Sequence, residues 1–170
     1  MTELGARQHR RAVLEVSYRC PPEVTAFART LRSEGVKADY PLARFHDECH
    51  LAAWLVEALR DLDAEDPTAA TAVICRTREA AMLLARVVKM GVPAHLALEG
   101  AFTFGPGAQV TSVPEVKGLE FDHVVVPDAA AGRYADTAEA RRALYVAATR
   151  ASDQLVIAAA GTPSPIFASR

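Results

Sequence analysis

Four short stretches of the chain put ionisable side chains where one backbone element gives way to another: SYRC (Ser17 to Cys20), CRTRE (Cys75 to Glu79), VKGLEFD (Val116 to Asp122) and RRALYVAATRA (Arg141 to Ala151). The first two follow apolar runs. The third leads into three valines, and a core strand by itself has no need of a Lys, a Glu and an Asp in the turn before it. That turn is expected to meet something polar. The fourth stretch has helical spacing, which sets Arg142, Tyr145 and Thr149 along one side and Arg150 near the C-terminal end. Arginines that converge on one face of a sheet suit a polyphosphate, because a guanidinium fork engages phosphate oxygens at more than one point. In α/β sheets ligands sit at the carboxyl ends of the strands, so that edge is where these stretches are expected.

Other polar groups have plainer readings. Arg141 and Arg142 read as a solvated face, salt-bridged with Glu139. Arg76 and Thr77 read as helix-start residues with a backbone contact to nucleic acid as a further role. In FHDECH, His46, Cys49 and His50 share one helical side, but no fourth ligand cluster completes a zinc site and Asp47 is better explained as a helix cap. No metal site is expected. Trp54 and the methionines read as core, and His123 as exposed or at a strand start.

The elements that must position these groups alternate. AVLEVS (Ala12 to Ser17) reads as a strand, and CPPEVTAFARTLRSEG as a helix with Pro21 and Pro22 at its start and Gly35 at its stop. DECHLAAWLVEALRDLD is a second helix, with Asp47 as its cap and Leu51, Trp54, Leu55, Ala58 and Leu59 on one face. TAVIC is a buried strand, REAAMLLARVVKMG a helix and VPAHLAL a strand. GAFTFGPGAQ is a loop, then AQVTSV and HVVVPD are strands flanking the VKGLEFD turn. TAEARRALYVAATRA is a helix and DQLVIAAA the last strand. Strands alternating with helices imply a mainly parallel α/β sheet with helices on both faces. Residues 1–11 read as an N-terminal tail, 12–160 as one domain and 161–170 as a frayed C-terminal tail.

The 170 residues suffice for one domain with a core, and 51% hydrophobic with 24% charged residues is ordinary for a globular protein. A formal charge of −2 excludes a strongly basic, free-standing nucleic-acid binder but not a local basic groove. Cys20, Cys49 and Cys75 include no CxxC pair and read as reduced thiols of a cytoplasmic protein. No run is apolar enough to span a bilayer, so no membrane partner is expected.

Taken together, the four stretches resemble a known family. KGLEFD with its valine strand and RRALYVAATRA with the strand after it resemble the last two motifs of UvrD/Rep-type superfamily 1 helicases. LEVSYRCPPEVTAFA and TAVICRTREAAMLLARVVKMGVPAHL are similar to the two segments that precede them in that family. The four lie in the family's order across most of the chain.

The resemblance implies the second RecA-like motor domain, a P-loop-NTPase-type fold without a P-loop of its own; GxxxxGK[ST] is absent here. It implies ATP as the cofactor, with Mg²⁺ held by the acids of the first RecA-like domain. It also implies that this polypeptide alone does not hydrolyse ATP. Carried over by motif position, Tyr18 would stack on adenine and Arg19 would reach the γ-phosphate. Glu120, in the turn with Gly118, would bond the ribose, and Arg150 would be the arginine finger. The partners implied are that first domain and single-stranded DNA. At the family's histidine position before KGLEFD stands Pro114. The stretch from Pro114 to Asp122 is similar also to the HelD-type branch, which applies the motor to RNA polymerase. A non-catalytic protein-interaction module derived from a helicase half is the reading from a different class.

Overall fold

The computed structural model describes residues 20–103 and 105–168. Six strands form one sheet in the order β1-β6-β5-β2-β4-β3, and all five pairings are parallel. They are β1 (Ala43–Phe45), β2 (Thr71–Cys75), β3 (Ala94–Leu96), β4 (Ala108–Ser112), β5 (Phe121–Val126) and β6 (Ala151–Ala160). The helices are α1 (Pro22–Leu31), α2 (Glu48–Glu65), α3 (Arg78–Val88) and α4 (Ala138–Ala148), with a 3-10 turn at Val113–Val116.

Both sheet faces are covered, which is why the central strands read as continuous apolar runs. Alternation sorts their side chains. Ala72, Ile74, Val124 and Val126 face a core completed by Val24, Phe27 and Leu31 of α1 and Ala143, Leu144 and Ala147 of α4. Val73, Cys75, Val110 and Val125 face a second core with Leu55 and Leu59 of α2 and Ala81, Ala85 and Val88 of α3. The right-handedness of parallel crossovers explains the split. The chain moves one way across the sheet through α2 and α3, and back the other way through the 3-10 turn and α4. Helices α2 and α3 therefore land on one face and α4 on the other, where α1 also packs.

Three helices are capped by the side chain just before them. Asp47, Thr77 and Thr137 accept the backbone N–H of His50, Ala80 and Ala140, each satisfying one orphan donor of a first turn. The proline pair also falls as expected, with Pro22 opening α1.

Two expectations change. Residues 161–168 are not frayed: Ile166 and Phe167 are buried in the first core, and Ala38 is bridged to this segment on both sides, its N–H to Ile166 O and its O from Ala168 N–H. The Pro-Ser-Pro sequence breaks regular structure, yet the apolar pair behind it anchors the chain. β1 is the other difference. It is a three-residue edge strand, too short to carry a periodic signal. The strand expected at Ala12 to Ser17 lies outside the described residues. No helix among the described residues is long and apolar enough to cross a membrane.

Candidate functional site

The VKGLEFD turn forms because β4 and β5 are both parallel to β2, so the chain must return from the carboxyl edge of the sheet to its amino edge within eight residues. The 3-10 turn begins the descent, with Pro114 suited to its first turn. Leu119 N–H then bonds Val116 O at 3.1 Å. Gly118 lies between them at φ +84°, and a Cβ there would meet nothing within 4 Å. Backbone conformation, not crowding, asks for glycine at this position.

Helix α4 makes the same descent on the face it covers and delivers Arg150 beside this turn. Arg150 donates from Nη1 to Leu119 O at 2.9 Å, from Nε to Val146 O at 3.1 Å and from Nη2 to Thr149 Oγ1 at 3.2 Å. In return its own carbonyl accepts Phe121 N–H at 2.9 Å. The two motifs are thus laced together: the guanidinium holds the residue before Glu120, and the backbone of Arg150 holds the residue after it. Three of the five guanidinium N–H groups are used in these bonds and two remain. Glu120 is exposed in the same turn. It stands on the rim of a hollow of about 410 Å³, lined also by Phe102, Gln109, Thr71 and Phe121.

Gly118, Glu120 and Arg150 therefore meet at the amino edge of the sheet. The expectation of the carboxyl edge is corrected for all three. Its physical reason failed because a turn leading into a strand, and the C-terminus of a crossover helix, both end where strands begin. Cys20, the first described residue, points its thiol at Thr149 O from 3.7 Å. Tyr18 and Arg19, the two residues before it, lie outside the described residues. Asp122, the second acid of the turn, is a staple across the strand starts. Its Oδ2 accepts Ala70 N–H at 2.8 Å, and its Oδ1 lies 3.3 Å from Ser152 Oγ.

The carboxyl edge carries a different cluster, at the crevice between β2 and β5, where the outgoing connections diverge. Arg76 N–H donates to Asp128 Oδ2 at 2.8 Å, and its guanidinium bonds Glu139 at 2.7 Å and lies over the Tyr134 ring at 5.6 Å. Arg78 pairs with Glu115 and, at 3.5 Å, with Glu99. Burial raises the Asp128 carboxyl to about 6, against the pull of Arg76 N–H and the Arg133 charge. Burial likewise raises the Cys75 thiol and the Tyr134 phenol. Asp128 Oδ1 and Tyr134 OH are buried without a hydrogen-bond partner.

The remaining residues sort quickly. Arg141 is not solvated, and Glu139 is not its partner. It is 2% exposed and bonds Asp136 Oδ1 at 2.6 Å, Ser33 O at 3.0 Å and Val36 O at 2.8 Å. Arg142 is exposed. His123 is buried, 3.5 Å from Asp153. Asp47 takes both His50 N–H and, at 2.8 Å, His50 Nδ1, and those bonds hold its carboxyl far below the usual range. No group of three or more His, Cys, Asp or Glu among the described residues could hold a metal ion. Trp54 packs on Phe45, but Met82 and Met90 are exposed rather than core.

Residues 107–158 match the family described as the UvrD-like helicase C-terminal domain, and this segment contains Gly118, Glu120 and Arg150. The crystal structure of the C-terminal domain of a possible DNA helicase from Lactobacillus plantarum WCFS1 superposes with a TM-score of 0.75 at 26% identity, over 89% of this chain and 92% of that one. The Sulfolobus solfataricus SWI2/SNF2 ATPase core in complex with dsDNA shares the fold at a TM-score of 0.52 and 14% identity, over 88% of this chain and 33% of that one. No curated protein matches the sequence. In the segment that carries its amino-edge motifs the chain is similar to the UvrD-like helicase C-terminal domain, and in fold across nearly all its length to the C-terminal domain of a possible DNA helicase.

Proposed function

We propose that the chain is the second motor domain of an ATP-dependent superfamily 1 helicase or translocase, contributing one wall of an ATP site. The observation that carries this reading is the Arg150–Leu119 hydrogen bond, which sets a guanidinium against the turn that carries Glu120 at one sheet edge. The edge fits a nucleotide. Arg150 keeps two N–H donors beyond its protein bonds, Glu120 is exposed, and the bare Gly118 leaves open space at the surface.

Bound ATP supplies the phosphoryl group, and magnesium would be held by acids of the first domain. Arg150 would place positive charge against the γ-phosphate as charge develops there, helped by Arg19. Glu120 would orient the ribose, and Tyr18 would stack on the adenine. Cys20, the first described residue, bonds Thr149 O and so lies next to the α4 terminus that carries Arg150. Single-stranded DNA would track the opposite edge, where Arg76, Arg78 and Arg133 stand around the N-terminus of α3.

The test is ATP turnover by this chain joined to the domain that carries the P-loop. Arg150→Ala should lower kcat by orders of magnitude and leave nucleotide affinity within a few-fold; unchanged turnover would sink the reading. A HelD-type role, with RNA polymerase rather than DNA as the motor's target, is favoured by Pro114 at the family's histidine position. A non-catalytic module would bind a fluorescent ATP analogue equally well with or without Tyr18→Ala.

A further inference from the structure

Thr149 stands between the last turn of α4 and Arg150, and its hydroxyl is engaged on two sides. Oγ1 donates to Tyr145 O at 2.9 Å, with Val146 O beside it at 3.2 Å, and accepts Arg150 Nη2 at 3.2 Å. A hydroxyl has a proton to give and lone pairs to receive, so both roles are filled at once.

The plain reading of such a hydroxyl is a bond back into its own helix, as threonine commonly makes. The helix end does not depend on it. Tyr145 O already accepts Thr149 N–H at 3.0 Å, and Ala147 O accepts Arg150 N–H at 3.1 Å. Val146 O accepts Arg150 Nε–H at 3.1 Å. These terminal carbonyls keep a donor with the hydroxyl gone. What the hydroxyl adds is an acceptor for the guanidinium. Nε and Nη2 form one edge of the arginine fork. Val146 O and Thr149 Oγ1 grip that edge from the helix end, while Leu119 O holds Nη1 from the turn at 2.9 Å. Nη1 and Nη2 each keep one N–H beyond these bonds. The backbone under the hydroxyl is fixed too: Thr149 is the C-cap of α4, and its carbonyl takes the Cys20 thiol at 3.7 Å. Thr149 and Arg150 are both half-buried, so water competes only in part for the bond between them.

We propose that Thr149 is a positioning residue for Arg150, its hydroxyl setting the plane of the guanidinium before nucleotide arrives. This rests on the reading of Arg150 as the group that meets the γ-phosphate. Tyr145 O draws the hydroxyl proton to one side and so turns a lone pair towards Nη2. Without the hydroxyl the Nε–Nη2 edge is held at Nε alone, and the fork swings more freely. The charge is unchanged and its direction is lost. Direction matters most where charge develops on the γ-phosphate, so the effect falls on turnover and not on nucleotide binding.

The test is steady-state ATP turnover by this chain joined to the domain that carries the P-loop. Thr149→Val, which keeps the shape and loses the hydroxyl, should lower kcat about ten-fold and leave KM for ATP within about two-fold. Its melting temperature should stay within about 2 °C of the parent's, because the terminal carbonyls keep their donors. Thr149→Ser should recover most of the lost kcat. Combined with Arg150→Ala, Thr149→Val should bring no further loss, since a hydroxyl that acts through Arg150 then has nothing to position. If Thr149→Val turns over at the parent rate while Arg150→Ala does not, the proposal is overturned and the reading of Arg150 stands. A further loss in the double variant as large as in the single one shows that the hydroxyl acts elsewhere, which also overturns it. So does a much lower melting temperature with Thr149→Ser no better in kcat than Thr149→Val, which leaves the hydroxyl a part of the helix end alone. Unchanged turnover in Arg150→Ala removes the reading itself, and the proposal with it.

Discussion

The two edges of the sheet are built by opposite means. At the amino edge, Arg150 is held by the backbone carbonyls of Val146 and Leu119 and by the Thr149 hydroxyl, and the acid next in sequence to Leu119, Glu120, is exposed. At the carboxyl edge the arginines are held by acids: Arg76 by Glu139, and Arg78 by Glu115 and Glu99. A guanidinium bonded to neutral carbonyls and a hydroxyl has no charge cancelled by those bonds. One bonded to carboxylates has much of its field cancelled. This contrast favours the amino edge for the proposed nucleotide, although Arg76, Arg78 and Arg133 stand at the carboxyl edge. Helix α4 joins the two, with Glu139 in its first turn and Arg150 just past its last, about 16 Å apart along the axis.

The largest effect that would break this contrast is on turnover. If Arg150 is the positive charge at the γ-phosphate, Arg150→Ala in the completed motor should cost about 10³-fold or more in kcat. Arg76→Ala should cost far less, because Glu139 already neutralises that side chain. Equal losses in steady-state ATPase assays would show that the two edges do not differ as argued. Arg141 sharpens the point from the side of stability. It belongs to neither edge and is buried against Asp136 and the carbonyls of Ser33 and Val36. Arg141→Met should destabilise the fold by roughly 3 kcal/mol, since it leaves two carbonyls without a donor and Asp136 with Lys37 alone. Urea unfolding would read this, and turnover per folded molecule should stay unchanged.

What the sequence showed follows the same division. TAVIC, HVVVPD, the proline pair opening α1 and the Asp47 cap were legible because each is decided within a few residues, by burial period or cap chemistry. The amino-edge trio was legible as chemistry from its motifs but misplaced in space, since nothing local says which end of a strand a turn will feed. Arg141 and Glu139 are neighbours but one in sequence, which invited pairing. The fold instead turned Arg141 inward to Asp136 and gave Glu139 to Arg76, 63 residues away. Ile166 and Phe167 were lost behind two prolines. The unpaired Asp128 Oδ1 had no sequence signal, because an unsatisfied atom is a property of its surroundings and not of its residue type.

Asp128 offers the next test, of the carboxyl edge as a place of stored polar cost. Its folded pKa of about 6 lies above the ordinary value of 3.8. The native state therefore holds its proton more tightly than the unfolded chain does. The cost is absent below about pH 4, grows between pH 4 and 6, and is fully present at pH 7. Asp128→Asn, which can still accept Arg76 N–H, should be more stable than the parent at pH 7 by at most about 3 kcal/mol. The gap should close as pH falls towards 4. Melting temperatures of both proteins across that range would show it, and a gap that widened in acid would mean the carboxylate is stabilised where it sits.

The smallest effect is the most local. Gly118 adopts φ +84° with no atom within 4 Å of a would-be Cβ, so Gly118→Ala meets backbone strain alone, about 1 kcal/mol. That corresponds to a fall in Tm of roughly 2–4 °C for a chain of this size. Gly118→Asn should lose less, because asparagine tolerates the left-handed region. If strain is the whole story, the ATP affinity of the completed motor should follow stability and the asparagine variant should bind nearly as well as the parent. A nucleotide lying against the open face of the turn would reverse that order. Asparagine, the larger side chain, would then bind ATP more weakly than alanine while melting higher. That crossed pattern would mark the amino edge as a ligand surface through a residue that has no side chain of its own.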